Sequence, residues 1–215
     1  MVATKKDAVN DAANTAGPAN TASSAKPSAR ERLLAAADEL FYREGVHTVG
    51  IDRVIEHAGV AKASLYNTFG SKEALIRAYL DKRHTSVLDR IAVHLERYDS
   101  PREKLLGIFE VQSAMFSAPR YRGCAFIAAT AESESGGQAE AASDAFRAEL
   151  RALMADLAAQ AGIADAQGFA RKLHLLYDGG SVSARMDRDP SIAIVAREAA
   201  ATLIDAALAA SAAAA

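Results

Sequence analysis

The sequence predicts an all-α fold of about nine helices, and three observations carry that expectation. Apolar residues recur at helical spacing along most of the chain beyond Ser28. No stretch alternates apolar and polar residues over the length of a strand. Gly, Ser and Pro punctuate the periodic segments at the places where helices start and stop. There is no internal repeat.

Residues 1–27 come first and are mostly Ala, Thr, Ser, Asn and Lys. They carry too little apolar surface to offset the entropy of ordering, so a disordered tail is expected. Within it Lys5, Lys6 and Lys26 read most simply as solvated, with contact to phosphates as the alternative. A capping box at Ser28-Ala29-Arg30-Glu31 then opens the first helix. Leu33, Leu34, Ala37, Leu40 and Phe41 give it an apolar stripe, and Gly45 ends it. A second helix carries Ile51, Val54, Ile55 and Ala58 and stops at Gly59. The third runs from about Ala61 to Phe69, and Ser71 is the N-cap of a long fourth holding Leu75, Ile76, Tyr79, Leu80, Val87 and Ile91.

Beyond Ser100-Pro101 the texture stays helical. Leu105, Leu106, Phe109, Val111, Met115 and Phe116 share one helix, and residues 124–133 form a shorter one before a break at Gly136-Gly137. Phe146, Leu150, Leu153, Met154 and Leu157 make a further stripe. Two last helices span roughly 164–187 and 190–209, with fraying expected after Ala206. The domain expectation is a tail over 1–27, a first domain over 28–87, a second over 88–210 and an Ala-rich tail over 211–215.

Composition narrows the class without naming it. At 215 residues, half of them apolar, the chain can bury a core in one or two domains. The net charge of -2 says nothing by itself about nucleic acid, whereas a sequence pI near 6.2 argues mildly against indiscriminate coating of DNA. Residues 27–87 hold nine Lys/Arg against eight Asp/Glu (+1), and residues 88–215 hold thirteen against seventeen (-4), an asymmetry that permits nucleic-acid contact in the first part without demanding it. One cysteine, Cys124, excludes an intrachain disulfide and a thiolate metal cluster. With no long apolar run and no apolar signal core, a cytoplasmic protein without membrane contact is expected.

The chemistry-bearing stretch is Ala58 to Leu75. Two short helices meet at Gly59, where a residue without Cβ adopts a positive φ, and Val60 turns inward. That is helix-turn-helix geometry, whose second helix enters the DNA major groove. Leu65 and Phe69 face the core four residues apart, leaving Lys62, Ala63, Ser64 and Asn67 outward. Asn pairs with adenine, Lys reaches guanine, and Ala or a Ser methylene meets a thymine methyl. Tyr66 offers a hydroxyl to a phosphate, and Lys72 adds its charge to the positive end of the next helix.

The order and spacing of Phe41 to Gly45, Ala58-Gly59-Val60, Leu65 to Phe69 and Ser71 to Leu75 resemble the DNA-binding domain of the TetR family, over Arg32 to Leu80. The resemblance implies an N-terminal three-helix helix-turn-helix domain and, behind it, a helical ligand-sensing and dimerisation bundle. It implies a transcriptional regulator, a repressor that leaves its operator when a small molecule binds, with no cofactor. Two positions depart from the pattern. Gly50 stands where Ser or Thr caps the second helix and touches a phosphate, with Thr48 as the substitute hydroxyl, and Thr68 stands where His or Tyr is common. Independently of the resemblance, Ser191 to Leu208 is Ala-rich and apolar around much of its circumference. It favours a homodimer through the last two helices over burial within one subunit, and hence a palindromic double-stranded operator.

The other candidates are weaker. His47, His57, His84, His94 and His174 form no H-x-x-x-H pair, so no metal site is expected, and His57 and His84 read as surface residues. Cys124 lies near Arg120 and Arg122 at a helix start; it reads as a buried small hydrophobe, with a thiol-responsive regulator as the alternative. Glu132, Glu134 and Glu140 read as a solvated loop, because no nucleophile or base accompanies them. No phosphate-binding glycine loop occurs, and an all-helical enzyme or adaptor with an incidental helix-turn-helix is the rival of another class. For a ligand pocket the expected lining is Phe109, Gln112, Met115, Phe116, Tyr121, Cys124, Phe126, His174 and Tyr177, apolar walls with few polar groups. Gly179-Gly180 inside a helix points to close helix approach, or to a hinge.

Overall fold

A computed structural model describes residues 26–214; the expected disorder and the phosphate-contact alternative for Lys5 and Lys6 fall outside them. Among the described residues there are nine helices and no strand. They are α1 (Ala29–Glu44), α2 (Ile51–Ala58), α3 (Lys62–Phe69), α4 (Lys72–Leu95), α5 (Pro101–Phe116), α6 (Ala125–Glu132), α7 (Gln138–Gln160), α8 (Ala166–Asp187) and α9 (Ile192–Ala213).

The helix starts follow local chemistry. At α1 the Ser28 hydroxyl accepts the Glu31 N–H while the Glu31 carboxylate accepts the Ser28 N–H, so both orphan donors are satisfied. At α4 and α5 the Ser71 and Ser100 hydroxyls accept the Ala74 and Glu103 N–H groups, without the reciprocal bond, and Pro101 occupies the first turn of α5, where its missing N–H is harmless. Gly59 ends α2 at φ 60° and ψ 44°, the left-handed conformation that the turn into α3 requires.

α1 to α3 gather around Leu33, Ala37, Leu40, Val54 and Leu65, and the first turns of α4 close this small core with Leu75 and Tyr79. α4 then runs on into the second half of the molecule, where it packs on α5 and α7. There α7 also packs on α8, and α5 on α9. Phe146, Leu150, Met154 and Leu157 of α7 are buried as their spacing predicts, with Leu153 packed at the edge.

Three details depart from the sequence reading. α9 continues through Ala213, because its Ala residues favour helix and the Ser211 hydroxyl accepts the Ala164 N–H. His84 is no simple surface residue, since it pairs with Glu149 of α7 and stands edge-on to Phe146. The glycine pair splits. A Cβ on Gly180 would lie 3.3 Å from Gln112 Oε1 of α5 and 3.4 Å from the Ala196 Cβ of α9, so close approach of both neighbours explains it, whereas Gly179 has nothing within 4 Å and faces outward.

Candidate nucleic-acid interface and sensor pocket

The α2–α3 unit presents one polar face. Leu65 is fully buried and Phe69 packs against the core, which fixes the rotation of α3. Lys62, Ala63, Tyr66 and Asn67 are exposed in consequence, with Ser64 half-buried. Lys62 Nζ lies 2.8 Å from Asp52 on α2, and that hydrogen bond raises the lysine pKa. Both partners are well solvated, so the pairing is weak and leaves the Lys62 ammonium free to exchange partners. Lys72 reaches back to the His47 carbonyl at 3.4 Å and holds the α1–α2 loop near the start of α4.

The two departures from the family pattern have clear geometric outcomes. Gly50 is the N-cap of α2 and no side chain caps it; Thr48 is exposed and does not supply the missing hydroxyl bond. Thr68 donates its hydroxyl to the Ser64 carbonyl at 2.6 Å, so it is turned back onto its own helix.

Two further residues, Arg32 and Glu132, brace this unit from outside it. Arg32 of α1 donates to the Gly59 carbonyl at 2.9 Å and so braces the turn between α2 and α3 from below. Its charge also sits at the negative end of α2. Glu132, expected in a solvated loop, ends α6 and accepts the His47 N–H at 2.9 Å. A Cβ on Gly45 would fall 2.5 Å from that carboxylate, so α6 and the α1–α2 loop are pressed together. No local pattern signals a contact between residues this far apart in the chain.

A family model for bacterial regulatory proteins of the tetR family matches residues 33–79, the helix-turn-helix unit. Among solved structures, a TetR-family transcriptional regulator from Streptomyces coelicolor is 30% identical, with a TM-score of 0.74 over 84% of this chain and 94% of that one. A tetR transcriptional regulator from Streptomyces avermitilis is 34% identical, with a TM-score of 0.76 over 84% and 98%. The chain belongs to the TetR family. Curated relatives match over a shorter span. The HTH-type regulator LmrA of Bacillus subtilis is 32% identical over 41% of this chain and 47% of its own length. The HTH-type repressor KstR2 of Mycolicibacterium smegmatis is 32% identical over 44% and 45%. The aligned stretch thus spans less than half of each of these two relatives.

In this TetR-family chain the expected pocket lining divides. Met115, Tyr121, Cys124, Phe126 and Tyr177 line a small cavity of about 50 Å³ together with Val87 and Phe146. The other four stand outside it. Phe109 is fully buried and meets Tyr177 edge-on, and Phe116 packs in a separate cluster with Ala184 and Ala193. Gln112 is a brace, donating to the Tyr177 carbonyl at 2.6 Å and the Ser181 hydroxyl at 3.0 Å. His174 is buried with neither ring nitrogen hydrogen-bonded, and Asp178 is 3.6 Å away. Helical spacing gives the inward direction of these side chains but not which gap they face. No described helix is long and apolar enough to cross a membrane.

Burial pushes the His174 pKa from 6.5 down to about 4, against the pull of Asp178 and with the help of Arg147 and Arg151. The unfolded chain therefore binds a proton between these values that the folded chain refuses. The stabilisation from neutral His174 is complete above pH 6.5 and declines as pH falls toward 4. Urea unfolding midpoints are expected to drop over that window, and His174→Leu is expected to flatten the drop.

Cys124 is the N-cap of α6, yet burial raises its thiol pKa above the ordinary value, with the nearby backbone N–H groups of Ile127 and Phe126 only partly opposing. A reactive thiol needs the opposite shift. Cys124→Ser is expected to leave operator binding insensitive to peroxide just as in the wild type; a peroxide response lost on substitution would restore the thiol-responsive alternative.

Proposed function

We propose that the protein is a homodimeric, sequence-specific DNA-binding transcriptional regulator that leaves its operator when a small molecule occupies the second domain. The observation that carries the DNA reading is the αL turn at Gly59. It joins α2 to α3 and leaves Lys62, Ala63, Ser64, Tyr66 and Asn67 on the side away from buried Leu65. In this reading Ala63, Asn67 and a released Lys62 meet base edges, while Thr48, Tyr66 and Lys72 hold phosphates. Residues 28–87 act as the reading head and residues 88–210 as sensor and dimer platform. The family's membership of regulators supports absence of enzymatic chemistry.

The dimer reading rests on an unpartnered apolar face. Leu175, Val182 and Met186 of α8 and Ile194, Val195 and Leu203 of α9 are exposed, Leu175 by 75% and Met186 by 72%. Gly179 lies in the same α8 row, at the spacing i, i+4, i+7, i+11, where its bare surface admits a neighbouring helix closely. A second copy covers such a face symmetrically, and two-fold symmetry predicts a palindromic operator with half-sites about 34 Å apart. Repression is favoured over activation by family resemblance; the relatives include a named activator, FasR, as well as the repressor KstR2.

The experiment is selection from a random duplex pool, followed by salt titration of the wild type, Tyr66→Ala and Lys72→Ala on the selected sequence. A palindrome bound by the wild type and weakly by both variants is expected. Loss of Lys72 is expected to lower the salt slope by about one phosphate's worth. Absence of any selected sequence would make the helix-turn-helix a structural element only.

A further inference from the structure

Between α1, α4, the 118–122 segment and α8 lies an open cleft of about 570 Å³. Its wall holds six arginines, Arg43, Arg83, Arg90, Arg120, Arg122 and Arg185, against two carboxylates, Asp38 and Glu39. In a chain of net charge -2 this concentration is local, not compositional. Two of the six are committed. Arg43 pairs with Glu39 and Glu44, and Arg83 pairs with Asp38 at 2.8 Å while lying 3.8 Å over the Tyr42 ring. Among the described residues Arg90, Arg120, Arg122 and Arg185 make no ion pair; Arg90 donates only to the Ser86 carbonyl and hydroxyl.

Four like charges around one concavity repel each other and create a positive potential focused by the cleft walls. Such a site favours an anion, and guanidinium groups match a carboxylate with two parallel hydrogen bonds. The second observation fixes what the anion is attached to. The cleft shares Tyr42, Arg83, Arg90, Met115 and Tyr121 with the small cavity, whose inner wall is Val87, Phe126 and Phe146. Phe126 and Phe146 stack there at 4.2 Å and 4°, so this inner end is apolar and offers nothing to an inorganic ion or a DNA phosphate, while Tyr177 and Ser181 lie elsewhere on the cavity's lining.

We infer that the effector is a small organic acid, its carboxylate held among Arg90, Arg120, Arg122 and Arg185 and its apolar end directed at the Val87–Phe126–Phe146 pocket. This rests on the ligand-responsive reading above. The position also gives the acid a route to the reading head. The Tyr42 hydroxyl of α1 donates to the Gly123 carbonyl and accepts the Arg122 N–H, each at 3.0 Å. An anion that draws Arg120 and Arg122 toward α4 and α8 therefore pulls on the segment to which α1 is tied.

Octanoate and 3-phenylpropanoate, each beside its neutral amide, serve as probes in titration calorimetry with the full chain and no DNA. The acids are expected to bind at least about tenfold more tightly than the amides, and Arg120→Gln/Arg185→Gln to remove that preference while Arg97→Gln keeps it. The double variant is expected to melt no lower than the wild type, because it relieves repulsion and breaks no ion pair. Amides binding as well as acids, no acid binding, or an unchanged acid preference in the double variant would each overturn the inference. So would a double variant that loses operator affinity without having bound acid, which would assign these arginines to DNA phosphates. Operator release is measured separately: acid binding that depends on the arginines but leaves operator affinity unchanged upholds the site and refutes ligand release.

Discussion

Leu175→Glu combined with Val182→Glu is expected to yield a folded monomer and to weaken binding to a palindromic operator by on the order of 100-fold or more. Both side chains are exposed in the single chain, so the substitutions leave its core intact. In a two-fold dimer formed through this face both positions are buried against the partner's copy of the same face, and each glutamate brings an unpaired charge into it. The affinity loss follows because the second recognition helix is no longer delivered to its groove by the first. Sedimentation velocity together with operator titration checks both parts. A dimer that survives both glutamates would place the interface elsewhere.

Leu65→Ala is the second large effect, and it acts through stability. Leu65 is fully buried under α3, and truncation of such a side chain costs about 2–5 kcal/mol, according to how far the site collapses. The three-helix core around it is small, so the loss is expected as an early, separate unfolding step and as loss of all DNA binding, specific and non-specific. Asn67→Ala makes the contrast. It touches no core, so unfolding is expected to be unchanged, while preference for one base pair in each half-site falls by about 1–3 kcal/mol. Chemical denaturation followed by binding to operator and scrambled duplex separates the two. An Asn67→Ala protein that loses operator and scrambled affinity equally would make Asn67 a backbone contact.

What the chain declares about its shape, it declares locally. The caps at Ser28 and Ser71 and the left-handed turn at Gly59 depend on residues three or four apart, so they are visible in the sequence and recur in the structure. The inward set on α7 is visible for the same reason. The sensor half resists because its surfaces are assembled from distant segments. Phe109, Gln112, Phe116 and His174 share the helical spacing of true cavity residues and pack into other gaps. The arginine cleft draws on α1, α4, α8 and a loop, each contributing one or two ordinary-looking surface cations. Glu132 meets His47 across a separation that no periodicity spans. Gly179 and Gly180 look alike in sequence, yet one helical step of about 100° puts them on different faces.

The bond from Arg32 to the Gly59 carbonyl bears on how this molecule is to be re-engineered or compared with its kin. The aim of α3 is set partly by a side chain from α1, outside the proposed reading helix. A chimera that receives a foreign α2 and α3 keeps the original bracing residue under a turn it was not shaped for, and the reading angle shifts even if every base-contacting residue is correct. In the proposed reading, operator preference is therefore a property of the whole segment from Ser28 through the first turns of α4, whose Leu75 and Tyr79 close its core. That segment, with its own Arg32, is the smallest piece expected to carry its specificity into another scaffold.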